Sequence, residues 1–140
     1  MDLRQLTPDL AVSPQIDIED VAVLAQAGFR VLINNRPDEE IGTDLDNEAM
    51  KAAAEAAGLE YHFIPFQPGT ITPDMVSAYA AALAAEGPKA AYCRSGNRST
   101  VLWALASARD LPLDEILATA TKAGYDLSGV APLIASLARG

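Results

Sequence analysis

The order of apolar runs along this chain constrains its fold more than any single motif does. Phe29-Arg30-Val31-Leu32-Ile33-Asn34 has a β-branched, apolar centre, the pattern of a strand buried in a sheet. A helix is predicted before it, from about Ile18 to Ala27, with Asp17 as cap, Ile18, Val21, Leu24 and Ala25 on one face and Gly28 as the stop. After it come an alanine-rich helix from Asp46 to Ala57, closed by Gly58, and a strand from Leu59 to Phe66. Pro68-Gly69 turns the chain into a helix that starts at Thr72-Pro73, with threonine as N-cap and proline at the first position. Met75, Tyr79, Ala82 and Leu83 form its buried stripe, Gly87-Pro88 ends it, and Lys89 to Tyr92 is the next strand. Leu10 to Ser13 reads as a short first strand ended by Pro14. Beyond Arg98, Val101, Leu102, Leu105 and Ala108 continue a helix to about Asp110, and two shorter helices near Leu113–Ala123 and Gly129–Leu137 finish the chain.

Strands alternating with helices imply parallel pairing in a central sheet covered on both faces. The expectation is one α/β domain over residues 1–140, with a mostly parallel sheet of four or five strands. In such sheets, sites form beyond the carboxyl ends of the strands. That draws attention to two places: the end of the strand that leads into Cys93, and the end that leads into Asn34–Arg36.

Composition narrows the classes. With 50% hydrophobic and 21% charged residues among 140, the chain has a soluble globular composition. The net charge of −9 disfavours nucleic acid as a partner, because phosphates demand basic patches. Asp38, Glu39, Glu40, Asp44, Asp46 and Glu48 concentrate the acidity and read as a solvated loop and helix start. No run approaches the ~18 apolar residues of a membrane helix, and Met1-Asp2-Leu3-Arg4 does not resemble a signal peptide, so a cytoplasmic protein without a membrane partner is expected. A single cysteine excludes an intrachain disulfide and a cysteine-based zinc site. His62, the one histidine, has no second ligand near it in sequence, and neither a metal nor another cofactor is expected.

That one cysteine opens the segment Cys93-Arg94-Ser95-Gly96-Asn97-Arg98, followed by Ser99-Thr100. Cysteine chemistry runs through the thiolate, which a helix amino terminus and neighbouring cations favour. The helix after the loop supplies unpaired N–H groups, and Arg94 and Arg98 supply charge. Gly96 permits the positive φ that a nest of successive N–H groups needs, and Asn97 tolerates that region better than most residues. A hydroxyl at Ser99 or Thr100 would donate to the sulfur or cap the helix. Two arginines beside a cysteine are hard to explain by core packing, so Cys93 is expected to be a nucleophile, with Ser95, Gly96 and Asn97 lining an anion seat.

Tyr92 to Ser99 resembles the active-site loop of single-domain rhodanese sulfurtransferases. The rest of the chain resembles a small bacterial family with a tyrosine/dual-specificity phosphatase-like fold. The residues that carry this likeness are Ser13-Pro14-Gln15, Gly28 to Glu39, Gly58 to Pro65 and Cys93 to Trp103. Members of that family occur alone or fused to metallo-β-lactamase-like persulfide dioxygenases. The resemblance implies that fold, and either phosphatase or sulfurtransferase activity.

Three departures favour sulfur transfer over phosphate hydrolysis. Cysteine phosphatases carry Cys-x5-Arg, whereas Cys93 to Arg98 is Cys-x4-Arg, the narrower ring of rhodaneses. Phosphatases commonly have histidine before the cysteine, and this chain has Tyr92. The stretch Phe66 to Thr70 offers no general acid, which leaves Asp38 as a substitute. The expected reaction therefore moves a sulfane sulfur from thiosulfate or a low-molecular-weight persulfide, through a Cys93 persulfide, to a thiol or cyanide. Catalysis falls to Cys93 and Arg98, with Arg94 and Arg36 attracting the anionic donor, and a persulfide dioxygenase or sulfide-oxidising enzyme is the partner that fits. A phosphatase and a non-catalytic anion-binding or sulfur-relay module are the alternatives.

Overall fold

A computed structural model of the chain describes Met1–Arg139 as one α/β domain. Five strands, β1 (Arg4–Thr7), β2 (Leu10–Ser13), β3 (Val31–Asn34), β4 (Glu60–Phe63) and β5 (Lys89–Tyr92), form one sheet in the order β1-β2-β5-β3-β4. All neighbours pair parallel except β1 and β2, an antiparallel edge hairpin. Strand β1 is absent from the sequence-based expectation because Arg4-Gln5-Leu6-Thr7 has one apolar residue and no buried run. Strands β3 and β4 are shorter than expected. Beyond β4 the chain still donates from Ile64 N to Asn34 O (2.9 Å) and from Phe66 N to Asn35 O (3.0 Å), so it stays tied to the end of β3.

Six α-helices cover the sheet: α1 (Ile18–Gln26), α2 (Asn47–Ala56), α3 (Pro73–Leu83), α4 (Asn97–Ala106), α5 (Leu113–Lys122) and α6 (Ala131–Arg139). Their starts follow local chemistry. Asp46 accepts from Ala49 N at 3.0 Å, and Thr72 accepts from Met75 N at 3.2 Å ahead of Pro73. Successive residues of β3 and β5 point to opposite faces. Leu32, Ala90 and Tyr92 pack with Val21 and Leu24 of α1 and Met50 and Ala54 of α2. Ile33 and Ala91 pack with Tyr79 of α3, Leu102 and Trp103 of α4, Ile116 of α5 and Ile134 of α6. Among the described residues, no helix is long and apolar enough to cross a membrane.

The register decides where the site lies. Tyr92, the last residue of β5, is level with Ser13 of β2 on one side and Asn34 of β3 on the other. Three parallel strands therefore deliver Pro14-Gln15, Asn35-Arg36 and Cys93-Arg94 to one edge of the sheet.

Candidate active site

Cys93 is fully buried, one residue past β5. Its backbone N–H donates to Ser13 O (3.4 Å), and Arg94 O accepts from Gln15 N (3.3 Å), so the loop leaves the sheet tied to β2. The chain then reverses at Gly96, whose φ of 92° is open to glycine and costly for other residues. Gly96 serves as N-cap of α4, and its N–H donates to Cys93 Sγ at 3.1 Å. The sulfur thus sits beneath the amino end of α4, where unpaired N–H groups and the helix dipole favour negative charge. Among the described residues no side chain other than glycine has positive φ, so Asn97 does not use the left-handed region.

The hydroxyls take other roles than those expected. Ser99 Oγ donates to Asn35 Oδ1 (2.8 Å), and Asn35 Nδ2 donates to Ile64 O (2.9 Å), a buried chain that locks α4 to the end of β3. Thr100 Oγ1 donates to Gly96 O (2.8 Å) and stiffens the first turn. Neither hydroxyl bonds to the sulfur. Tyr79 Oη donates to Ser99 O (3.0 Å) from α3; burial first, and then the nearby Cys93, push its phenol pKa up.

Arg98 is held by a residue that the composition of its segment disguises. Its Nη1 and Nη2 donate to the two carboxylate oxygens of Glu40 at 2.8 and 2.7 Å, and Nη1 also donates to Phe66 O at 2.7 Å. Of its five N–H groups, Nε–H and one on Nη2 remain for an anion. The two bonds from Arg98 hold the Glu40 carboxyl below its ordinary pKa, and Glu40 in turn raises that of the guanidinium. Arg36 joins them: its Nη2 donates to Glu40 O (2.8 Å), its Nη1 donates to Gln15 Oε1 (3.1 Å), and its Nε lies 3.5 Å from Glu40 Oε1, an ion pair without a hydrogen bond. Two guanidiniums share one carboxylate, which leaves positive charge beside the cysteine.

The expected residues do not all converge. Cys93, Gly96, Arg98, Ser99 and Thr100 form one unit, and Arg36 reaches it through Glu40. Arg94, Ser95 and Asn97 are exposed on the rim, where Ser95 Oγ accepts from Asn97 N at 3.2 Å. Asp38 turns to α2, accepting from Asn47 N at 2.8 Å, and lines a cavity of about 220 Å³ with Pro37, Glu39, Phe63, Pro65 and Gln67. His62 stands on β4 with its Nε2 2.6 Å from Glu60 Oε2. Trp103 packs in the core. Sequence reasoning missed four participants: Glu40, Gln15, Asn35, and Tyr125, whose Oη donates to Ser95 O at 2.9 Å.

A model of the phosphatase-like domain of beta-lactamase hydrolase-like proteins matches residues 2–110. The chain belongs to that family. The beta-lactamase hydrolase-like protein of Xylella fastidiosa (strain Temecula1) is 35% identical over 130 residues, which is 91% of this chain and 30% of that protein. The chain thus spans under a third of the length of the curated relatives it matches. A solved structure from Neisseria meningitidis, described as a candidate phosphatase, superposes with a TM-score of 0.83 at 32% identity, covering 98% of this chain and 99% of that one. The core catalytic domain of the S. cerevisiae PP-IP phosphatase, solved with citrate, has a TM-score of 0.70 at 12% identity over 96% and 83%, a likeness of fold alone.

These findings overturn the expectation of a sulfurtransferase with a rhodanese-like loop. The family and the 32%-identical solved structure are phosphatase-like. The count from Cys93 to Arg98 does not by itself separate the two readings; the family does. Helix α4 begins at Asn97, so Arg98 lies in its first turn, bonded to Glu40 and the Phe66 carbonyl and close to Cys93.

Proposed function

We propose that this domain is a cysteine-dependent phosphatase that hydrolyses phosphate monoesters through Cys93. The observation that carries the reading is the sulfur at the amino end of α4, with the Gly96 N–H at 3.1 Å and Arg98 beside it, in a chain of the phosphatase-like family. In the first step the Cys93 thiolate attacks phosphorus; the S–P bond forms as the ester P–O bond breaks and the leaving oxygen takes a proton. Water then attacks phosphorus, the S–P bond breaks, and the thiolate returns as orthophosphate leaves. The phosphoryl oxygens would accept from N–H groups of the loop and from the two N–H groups that Arg98 has left.

Proton supply limits the substrate. Glu40 is held charged by Arg98 and is a poor acid. Asp38, the other candidate, turns to α2, where it accepts from Asn47 N, and lines a cavity apart from the cysteine loop. Aryl phosphates, whose phenolate leaves with the least help from an acid, are therefore the class expected to turn over fastest. The test is hydrolysis of p-nitrophenyl phosphate by the wild type and by Cys93→Ser. Turnover that disappears in the variant is expected. No turnover by the wild type, or equal turnover by both, overturns the reading.

A further inference from the structure

The peptide unit between Ser95 and Gly96 is gripped at both ends. Its N–H donates to Cys93 Sγ at 3.1 Å, and its C=O accepts from Tyr125 Oη at 2.9 Å. Gly96 has φ 92° and ψ −10°, the values of the third residue of a type II turn. Rotating that one peptide by half a turn gives the type I form, with negative φ at the glycine. Glycine adopts both signs of φ about equally readily, so Gly96 itself does not choose between them. In the flipped form the N–H leaves the sulfur and a carbonyl oxygen faces it, which repels a thiolate and an incoming anion alike.

We propose that Tyr125 is a positioning residue of the anion loop, its hydroxyl holding the Ser95–Gly96 peptide in the orientation that aims the Gly96 N–H at Cys93. Tyr125 comes from outside the family match, which ends at residue 110. The C-terminal end of α5 delivers it: Gly124 takes φ 100°, and Tyr125 N donates to Ala120 O at 2.8 Å. The Arg4 guanidinium lies 5.2 Å from the centroid of its ring, and Arg4 Nη1 donates to Ala123 O at 3.2 Å. The ring is buried, and its hydroxyl occupies the space that a Cβ on Gly96 would need. The edge strand, the end of α5 and the cysteine loop are thereby joined through one side chain.

The inference rests on the phosphatase reading for its effect on turnover alone; its direct consequence is for the sulfur and for anion binding. Arg98, Tyr79 and Tyr125 are titratable groups that lie close enough to Cys93 to feel its charge. Because Cys93 is the one cysteine, alkylation by iodoacetamide across a pH series reports on it alone. Tyr125→Phe removes the hydroxyl and keeps the ring. The pH midpoint of alkylation should rise by about half a unit or more, and orthophosphate should bind about three- to tenfold more weakly. The thermal midpoint should stay within a few degrees. A midpoint and a phosphate affinity both equal to those of the wild type overturn the proposal. If Tyr125→Phe loses its cooperative melting transition, Arg4→Gln, which frees the ring, is taken through the same measurements. A smaller shift in the same direction then supports the proposal, and none overturns it. A wild type that hydrolyses no p-nitrophenyl phosphate while Tyr125→Phe still shifts alkylation removes the phosphatase reading and leaves the role of Tyr125 standing.

Discussion

Glu40 shows what a single residue contributes once its partner is known. In composition it belongs to an acidic run that reads as solvated surface; in the fold it takes both terminal nitrogens of Arg98, 58 residues away. The bidentate geometry fixes the guanidinium plane and leaves two N–H groups for an anion. Glu40→Gln removes the charge and one acceptor. A stability loss of about 1–3 kcal/mol is expected in chemical denaturation, with a higher KM for aryl phosphate as Arg98 loosens. The pH dependence has a definite sign. The folded carboxyl titrates below its unfolded value, so the stabilisation is complete above the ordinary carboxyl range and is lost as pH falls through the folded value. The acid limb of the stability profile should therefore be shallower in Glu40→Gln, and equal limbs would show that the pair contributes nothing to stability.

At the scale of an element, α4 determines the site by where it begins. Gly96 caps it at positive φ, Thr100 bonds back to Gly96 O, and Ser99 anchors the first turn to Asn35. Helix, turn and cysteine are one mechanical unit. Gly96→Ala strains the backbone and drives a methyl group into the Tyr125 hydroxyl. The expected cost is about 2–4 kcal/mol from the left-handed φ and the overlap together, measured by thermal unfolding, with p-nitrophenyl phosphate hydrolysis lost in the residual folded protein. Wild-type activity in this variant would mean that the turn geometry is not needed. The helix was legible from Val101, Leu102, Leu105 and Ala108, but its first residue was not. Asn97 and Arg98 lack the apolar periodicity that marks a helix interior, and a cap at positive φ is set by the contacts around it.

The whole molecule is a sheet with a separate apolar cluster on each face. Leu102 of α4 is fully buried against the face that carries α3, α5 and α6. Leu102→Ala should cost about 2–5 kcal/mol, the range for a leucine removed from a packed core, and lower the thermal midpoint in a single transition. A loss under about 1 kcal/mol would mean that this core closes around the gap. The α/β class, the covered sheet and most of the core stripes of α1 and α3 were readable because period and punctuation are local properties of the chain. Ile18, expected on the buried face of α1, is instead exposed at the first position of that helix. Strand β1 was not, since an edge strand that buries one side chain leaves little pattern.

The sequence by itself determined the alternation of strands and helices, the single cysteine at a strand-to-helix junction, and the arginines near it. Those properties depend on residues a few positions apart. Only the tertiary structure decided that Glu40 holds Arg98, that Arg36 is bound to Gln15 and Glu40, that Asp38 serves α2, and that Tyr125 grips the cysteine loop. Each of these pairs is distant along the chain or turns on where a side chain points. Parallel pairing brings the ends of β2, β3 and β5 to one edge, and no local pattern encodes which side chains meet there. The same limit applies to counting residues from Cys93 to Arg98: a spacing along the chain does not by itself tell a sulfurtransferase from a phosphatase-like relative, and the family match overturned the sulfurtransferase reading.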